Sequence, residues 1–137
     1  MSLAVPPSRQ LRVLVVDDSP EIRELFCRLL ALEDYEVLTA VNGADGVRLA
    51  TMHCPDVVIM DMSMPVLDGG SAIRLLRGNP DTAAMPVIAV TGDAWLERCA
   101  RDAGCDEFLM KPVRRMELLR AVRRLAAHAM TLPRVGR

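Results

Sequence analysis

Five residues that can do chemistry stand where short apolar runs give out. Asp17 and Asp18 follow residues 11–16, Asp61 follows 56–60, Thr91 follows 86–90, and Lys111 follows 106–110. Three carboxylates packed into a partly desolvated cleft repel one another, and they become tolerable only with a hard cation or with protonation. Oxygen-only ligands with room for water suit Mg²⁺. A Thr hydroxyl and an ammonium serve that cation poorly, but both suit a phosphoryl group held beside it.

Lys111 carries a second signal. Of the 17 basic residues 16 are Arg, and Lys111 is the only Lys in the chain. A compact ammonium on a flexible stem can follow an oxyanion as it forms, whereas a planar guanidinium demands a fixed geometry and more space. The bland alternative is one Lys surviving by chance in an Arg-biased chain, and its place at a strand end before Pro112 counts against that.

These residues converge only if their runs are parallel strands of one sheet. Residues 11–16, 36–40, 56–60, 86–90 and 106–110 are the predicted strands, and three of them are almost continuously apolar. Strands buried on both faces read that way, and they belong to parallel sheets covered by helices. Between the first two, Ile22, Leu25, Phe26, Leu29 and Leu30 fall on one helical stripe, with Ser19 as cap, Pro20 in the first turn and Glu21 at the positive end of the dipole. A second helix opens at Asn42 and runs to about Met52, and a third follows Gly69 and Gly70 through Arg77. Leu96, Cys99, Ala100 and Ala103 mark a fourth that stops at Gly104, while Leu118, Val122, Leu125 and Ala129 mark a fifth. The expected fold is α/β: a (βα)5 doubly wound, five-stranded parallel sheet with helices on both faces, which gathers ligands at the carboxyl ends of its strands.

Composition narrows the class further. A chain of 137 residues with 51% apolar and 26% charged residues is an ordinary globule of about one domain. The expected organisation is a flexible lead-in over 1–10, the domain over 11–130 and a tail over 131–137. No apolar run approaches the roughly 20 residues of a membrane span, and the start lacks a basic segment followed by a long apolar one. A cytoplasmic location without membrane attachment is therefore expected. Cys27, Cys54, Cys99 and Cys105 form no C-x-x-C pair and read as small, mostly buried hydrophobes. Residues 113–137 hold seven Arg against one Glu, so the net charge of −1 hides a basic C-terminal part and an acidic remainder. Such a run could bind nucleic acid, but on an amphipathic helix it is far more often a solvated face. No direct nucleic-acid binding is expected.

The segments VVDDSP (15–20), MDMSMPVLDGG (60–70), AVTG (89–92) and DEFLMKP (106–112) together resemble the receiver domain of two-component response regulators, over about Leu11 to Met130. That resemblance implies the flavodoxin-like receiver fold and a phosphorylation-operated switch rather than an enzyme, one whose own chemistry is limited to weak Mg²⁺-dependent self-phosphorylation and dephosphorylation. Asp61 would accept a phosphoryl group from a phosphohistidine on a histidine kinase or histidine phosphotransfer protein. Mg²⁺ would be held by Asp18, Asp61 and the backbone carbonyl of Ser63, with Asp17 acting partly through water. Thr91 and Lys111 would contact the phosphoryl group, and Thr91 and Phe108 would report its arrival to a downstream effector or a second copy through the face of helix 4, strand 5 and helix 5. The resemblance also implies a cis Lys111–Pro112 bond, which sequence does not decide.

Each residue has a plainer use. A lone Asp after a strand is commonly a turn or helix cap, Thr91 could simply end a buried strand, and Phe108 could be core. Pro65 and Asp68-Gly69 shape the loop after Asp61 as turn residues would anywhere. From Thr91 to Gly104 the chain is shorter than the family pattern, so the loop after strand 4 or helix 4 itself should be abbreviated. Trp95, at the edge of the Leu96 stripe, is expected to be partly buried. A flavodoxin-like or phosphatase-like enzyme on the same topology is disfavoured by the lack of a Gly-rich loop after strand 1 and of a D-x-D arrangement. A pseudo-receiver that only mediates association would lack acidic residues or the Lys, and none is missing. No second domain is expected after helix 5.

Overall fold

The run RVLVV forms β1 (Arg12–Val16), followed by α1 (Pro20–Ala31), β2 (Glu36–Ala40), α2 (Gly43–His53), β3 (Val57–Asp61) and α3 (Gly69–Gly78). The chain continues through β4 (Val87–Thr91), a 3₁₀ turn (Ala94–Leu96), α4 (Glu97–Ala103), β5 (Glu107–Met110) and α5 (Arg115–Met130). The computed structural model describes residues 10–130, and only the backbone of 128–130. The expected lead-in up to residue 9, the tail over 131–137 and the side chain of Ala129 lie outside the described residues.

All five strands are parallel, in the order β2-β1-β3-β4-β5. Every residue of β3 and β4 is buried, as near-continuous apolar runs require. Alternation divides their side chains between two cores. Leu14, Val16, Val58, Met60, Val87 and Ala89 face α2, α3 and α4 through Ala50, Ile73, Leu76 and Ala100. Val13, Val15, Val57, Ile59, Ile88 and Val90 face α1 and α5 through Phe26, Leu30, Leu118 and Val122.

Strand starts fall one residue later than predicted at 11, 56, 86 and 106, for a reason visible in the hydrogen bonds. Asp56 and Asp106 turn their carboxylates onto the N–H groups of Arg12 and Val87, each at 2.8 Å, and so cap neighbouring strands instead of extending their own. Pro86 has no N–H to give.

Helix caps follow the expected chemistry. Ser19 accepts from the Ile22 N–H and Asn42 from the Asp45 N–H. At α3 the expectation needs correction: Gly69 and Gly70 lie inside the first turn, and Asp68 is the cap, accepting from the Ser71 N–H at 2.9 Å. Helix α4 is short, seven residues, and Leu96 belongs to the 3₁₀ turn before it. Arg77 holds this shortened side in place. Its guanidinium donates to the carbonyls of Met85 at 2.6 Å and Gly104 at 2.9 Å and pairs with Asp106 at 3.0 Å. Two burial expectations also fail. Trp95 is 76% exposed because the 3₁₀ turn carries it away from the sheet, and only Cys54 of the four thiols is buried.

Candidate functional site

Strand order places the carboxyl ends of β1, β3, β4 and β5 side by side. β1 runs out into Asp17, β3 and β4 end on Asp61 and Thr91 themselves, and β5 runs out into Lys111. Asp17, Asp61 and Thr91 are buried, whereas Asp18 is exposed. One carboxylate oxygen from each of Asp17, Asp18 and Asp61 lies within 4.8 Å of the others. Lys111 Nζ is 3.0 Å from Asp17 Oδ2 and 3.5 Å from Asp61 Oδ2.

Backbone hydrogen bonds hold these side chains where they are. The Asp17 N–H donates to the Ala40 carbonyl, and its Oδ1 accepts the Ser19 N–H at 2.9 Å. Arg23, one turn into α1, donates to the Asp17 carbonyl at 2.7 Å. The Ser63 N–H donates to Asp61 Oδ1 at 3.2 Å. The Lys111 N–H donates to the Thr91 carbonyl at 2.8 Å, just before the cis Lys111–Pro112 peptide. Thr91 Oγ1 accepts the Asp93 N–H at 3.2 Å, which leaves its own hydroxyl hydrogen free to be donated elsewhere.

Burial pushes the Asp61 carboxyl up to about 6. The charges of Asp17 and Asp18 push the same way, while the Ser63 N–H and Lys111 oppose them. A carboxylate so placed is better tolerated beside a cation than alone. Three oxygen donors with one open, exposed member fit a hard divalent ion that keeps part of its water shell.

The sheet relates the remaining two residues. Phe108 pairs in register with Ala89, and Thr91 follows Ala89 by two, so Thr91 and Phe108 share the face covered by α2, α3 and α4. Ala89 is small, and Phe108 is half-buried against that core. Two contributors carry no sequence signal of chemistry. An added Cβ on Gly69 would collide with the Asp61 carbonyl oxygen and stand 2.7 Å from Met62 Cα, so α3 can approach the end of β3 only because that residue is glycine. Arg23 looks like any helix-surface Arg in the sequence. Val66, at the exposed tip of the same loop, has φ +74, a rare conformation for a β-branched residue.

The response regulator receiver domain family model matches residues 13–123. Protein PilH of Pseudomonas aeruginosa is 39% identical over 122 residues, covering 85% of this chain and 98% of PilH. Transcriptional regulatory protein PrrA of Mycobacterium tuberculosis is 38% identical over 114 residues, 83% of this chain but only 49% of PrrA, so the chain spans about half the length of that relative. The receiver domain of the sensor histidine kinase PA1611 from Pseudomonas aeruginosa, solved with a magnesium ion coordinated in its active site cleft, superposes with a TM-score of 0.82 at 31% identity over 87% of this chain and 99% of that one.

Proposed function

The chain belongs to the response regulator receiver domain family of two-component signalling, and from that premise we propose that Asp61 accepts a phosphoryl group from a phosphohistidine on a histidine kinase or histidine phosphotransfer protein. The observation that carries this reading is the contact of Lys111 Nζ with Asp17 and Asp61 at the edge where three carboxylates meet. An Asp61 carboxylate oxygen attacks phosphorus, the bond from phosphorus to the imidazole nitrogen breaks, and the acceptor becomes an acyl phosphate. Lys111 exchanges its carboxylate contact for a phosphoryl oxygen. Thr91 donates its free hydroxyl hydrogen to another.

Asp18, Asp61 and the Ser63 carbonyl would hold Mg²⁺, with Asp17 acting partly through water. When bound, the ion neutralises charge on the transferring phosphoryl oxygens. Movement of Thr91 toward the modified Asp61 opens space on the Ala89 face that Phe108 can fill, and this links the site to the α4, β5, α5 surface. A downstream effector or a second copy would dock there. Phe108 has no hydroxyl, so an inward position is easily satisfied and an outward hydrogen bond is impossible.

We read the protein as a signalling switch with only weak self-phosphorylation and dephosphorylation chemistry, acting in the cytoplasm. In line with this, among the described residues no helix is long and apolar enough to cross a membrane. Direct nucleic-acid binding by this segment is not part of the proposal, because Arg123 and Arg124 of the basic helix are partnered by Glu33 and Glu107 at 3.5 and 3.2 Å. The transcriptional role in the name of PrrA belongs to a longer protein, of which the match covers 49%.

A small phosphodonor with Mg²⁺ tests the central claim. Intact mass should show one added phosphoryl group on the wild type and none on Asp61→Asn; equal uptake by both proteins refutes the assignment.

A further inference from the structure

The three acidic residues differ in how they are held. Asp17 is fixed through its N–H, its Oδ1 and its Oδ2, and Asp61 through the Ser63 N–H and Lys111. Asp18 is exposed and makes no hydrogen bond or ion pair of its own among the described residues. Only its backbone can aim it. The peptide plane between Asp17 and Asp18 contains the Asp17 carbonyl, and Arg23 Nη1 grips that oxygen at 2.7 Å. Arg23 is half-buried on α1, and among the described residues its guanidinium pairs with no carboxylate and makes its one hydrogen bond to this neutral carbonyl.

We propose that Arg23 is a positioning residue for the divalent cation: by fixing the Asp17 carbonyl it fixes the plane from which the unpartnered Asp18 carboxylate projects, so that Asp18 meets the ion already aimed. This rests on the reading of the acidic trio as the Mg²⁺ site. Groups that orient ligands without touching the metal commonly contribute about 10- to 100-fold in affinity. Simple electrostatics predicts the opposite sign, because removing a nearby guanidinium relieves repulsion of a dication. The two accounts are therefore separable by direction alone.

Mg²⁺ titration by calorimetry, without any phosphodonor, makes the test. Arg23→Met keeps the unbranched stem and the helix propensity but removes the donor, and it should weaken Mg²⁺ binding about tenfold. Arg23→Lys, which can still donate to the carbonyl, should recover most of that loss. Urea unfolding of the same variants reads the structural role separately. A lower midpoint for Arg23→Met with unchanged or tighter Mg²⁺ binding overturns the proposal, as does a Lys variant no better than Met. Asp18→Ala serves as the control: if it loses binding while Arg23→Met does not, Arg23 alone is misread. If the wild type binds no better than Asp18→Ala, the metal site itself is misread and the proposal falls with it.

Discussion

Asp61 is held in a state that disfavours its own charge. Its carboxyl is raised from 3.8 to about 6 by burial first, then by Asp17 and Asp18. The unfolded chain therefore releases this proton at lower pH than the folded one, and stability falls as pH rises through the window from about 4 to 6. Below that window both states are protonated and the cost vanishes. Above it the cost is fully present, about 1–3 kcal/mol at the conversion of roughly 1.4 kcal/mol per pH unit. Asp61→Asn should thus be more stable than the wild type at pH 7.5 without Mg²⁺, by about that amount, and should lack the decline between pH 4 and 6. Urea unfolding across that range checks it, and an Asn variant with the same pH profile as the wild type would contradict the burial account. Sequence makes the ingredients legible here, since Asp17, Asp18, Asp61 and the single Lys111 all stand out by type and place. It cannot rank distances: that Lys111 sits closer to Asp17 than to Asp61 depends on packing across strands, as does the grip of Arg23 on a backbone oxygen.

Helices and strands were legible where one face is apolar and the ends are capped by side chains, as in α1 with Ser19 and α2 with Asn42. The signal fails where tertiary contact decides. The pair Gly69-Gly70 reads as the lead-in to a helix, yet it is helical itself, and α3 begins against the back of Asp61, where a Cβ on Gly69 finds no room. Gly69→Ala should therefore destabilise the fold by about 3 kcal/mol or more, despite the higher helix propensity of Ala. Gly78, at the other end of the same helix, has open space around its Cβ position. There the same change should be neutral or stabilising by up to about 1 kcal/mol. Equal urea midpoints for the two variants would show that the crowding at Gly69 relaxes at little cost. Trp95 shows a similar limit: periodicity extends the Leu96 stripe backward, but the residues before Glu97 wind as a 3₁₀ turn that leaves Trp95 exposed while Leu96 packs against the core.

At the scale of the whole molecule, the alternation of strand and helix was enough to infer a parallel doubly wound sheet, and the order β2-β1-β3-β4-β5 then explains why distant residues share one edge. The sole tryptophan lies in the 3₁₀ turn between β4 and the shortened α4. With 76% of its surface exposed, Trp95 should be quenched by acrylamide in the native protein nearly as well as in urea. A strongly protected indole would mean that this face is covered in solution. Addition of beryllofluoride and Mg²⁺ should lower quenching if modification draws a partner copy onto the α4 side. The contact between Lys111 and Asp17 bridges 94 positions of chain, and β5 is the edge strand that arrives last from the ribosome. An N-terminal fragment cut between residues 61 and 111 owns all three of these carboxylates but not the ammonium that balances them. On the proposed reading, readiness to receive a message is thereby withheld from unfinished or clipped molecules, and the ion pair doubles as a certificate of completion.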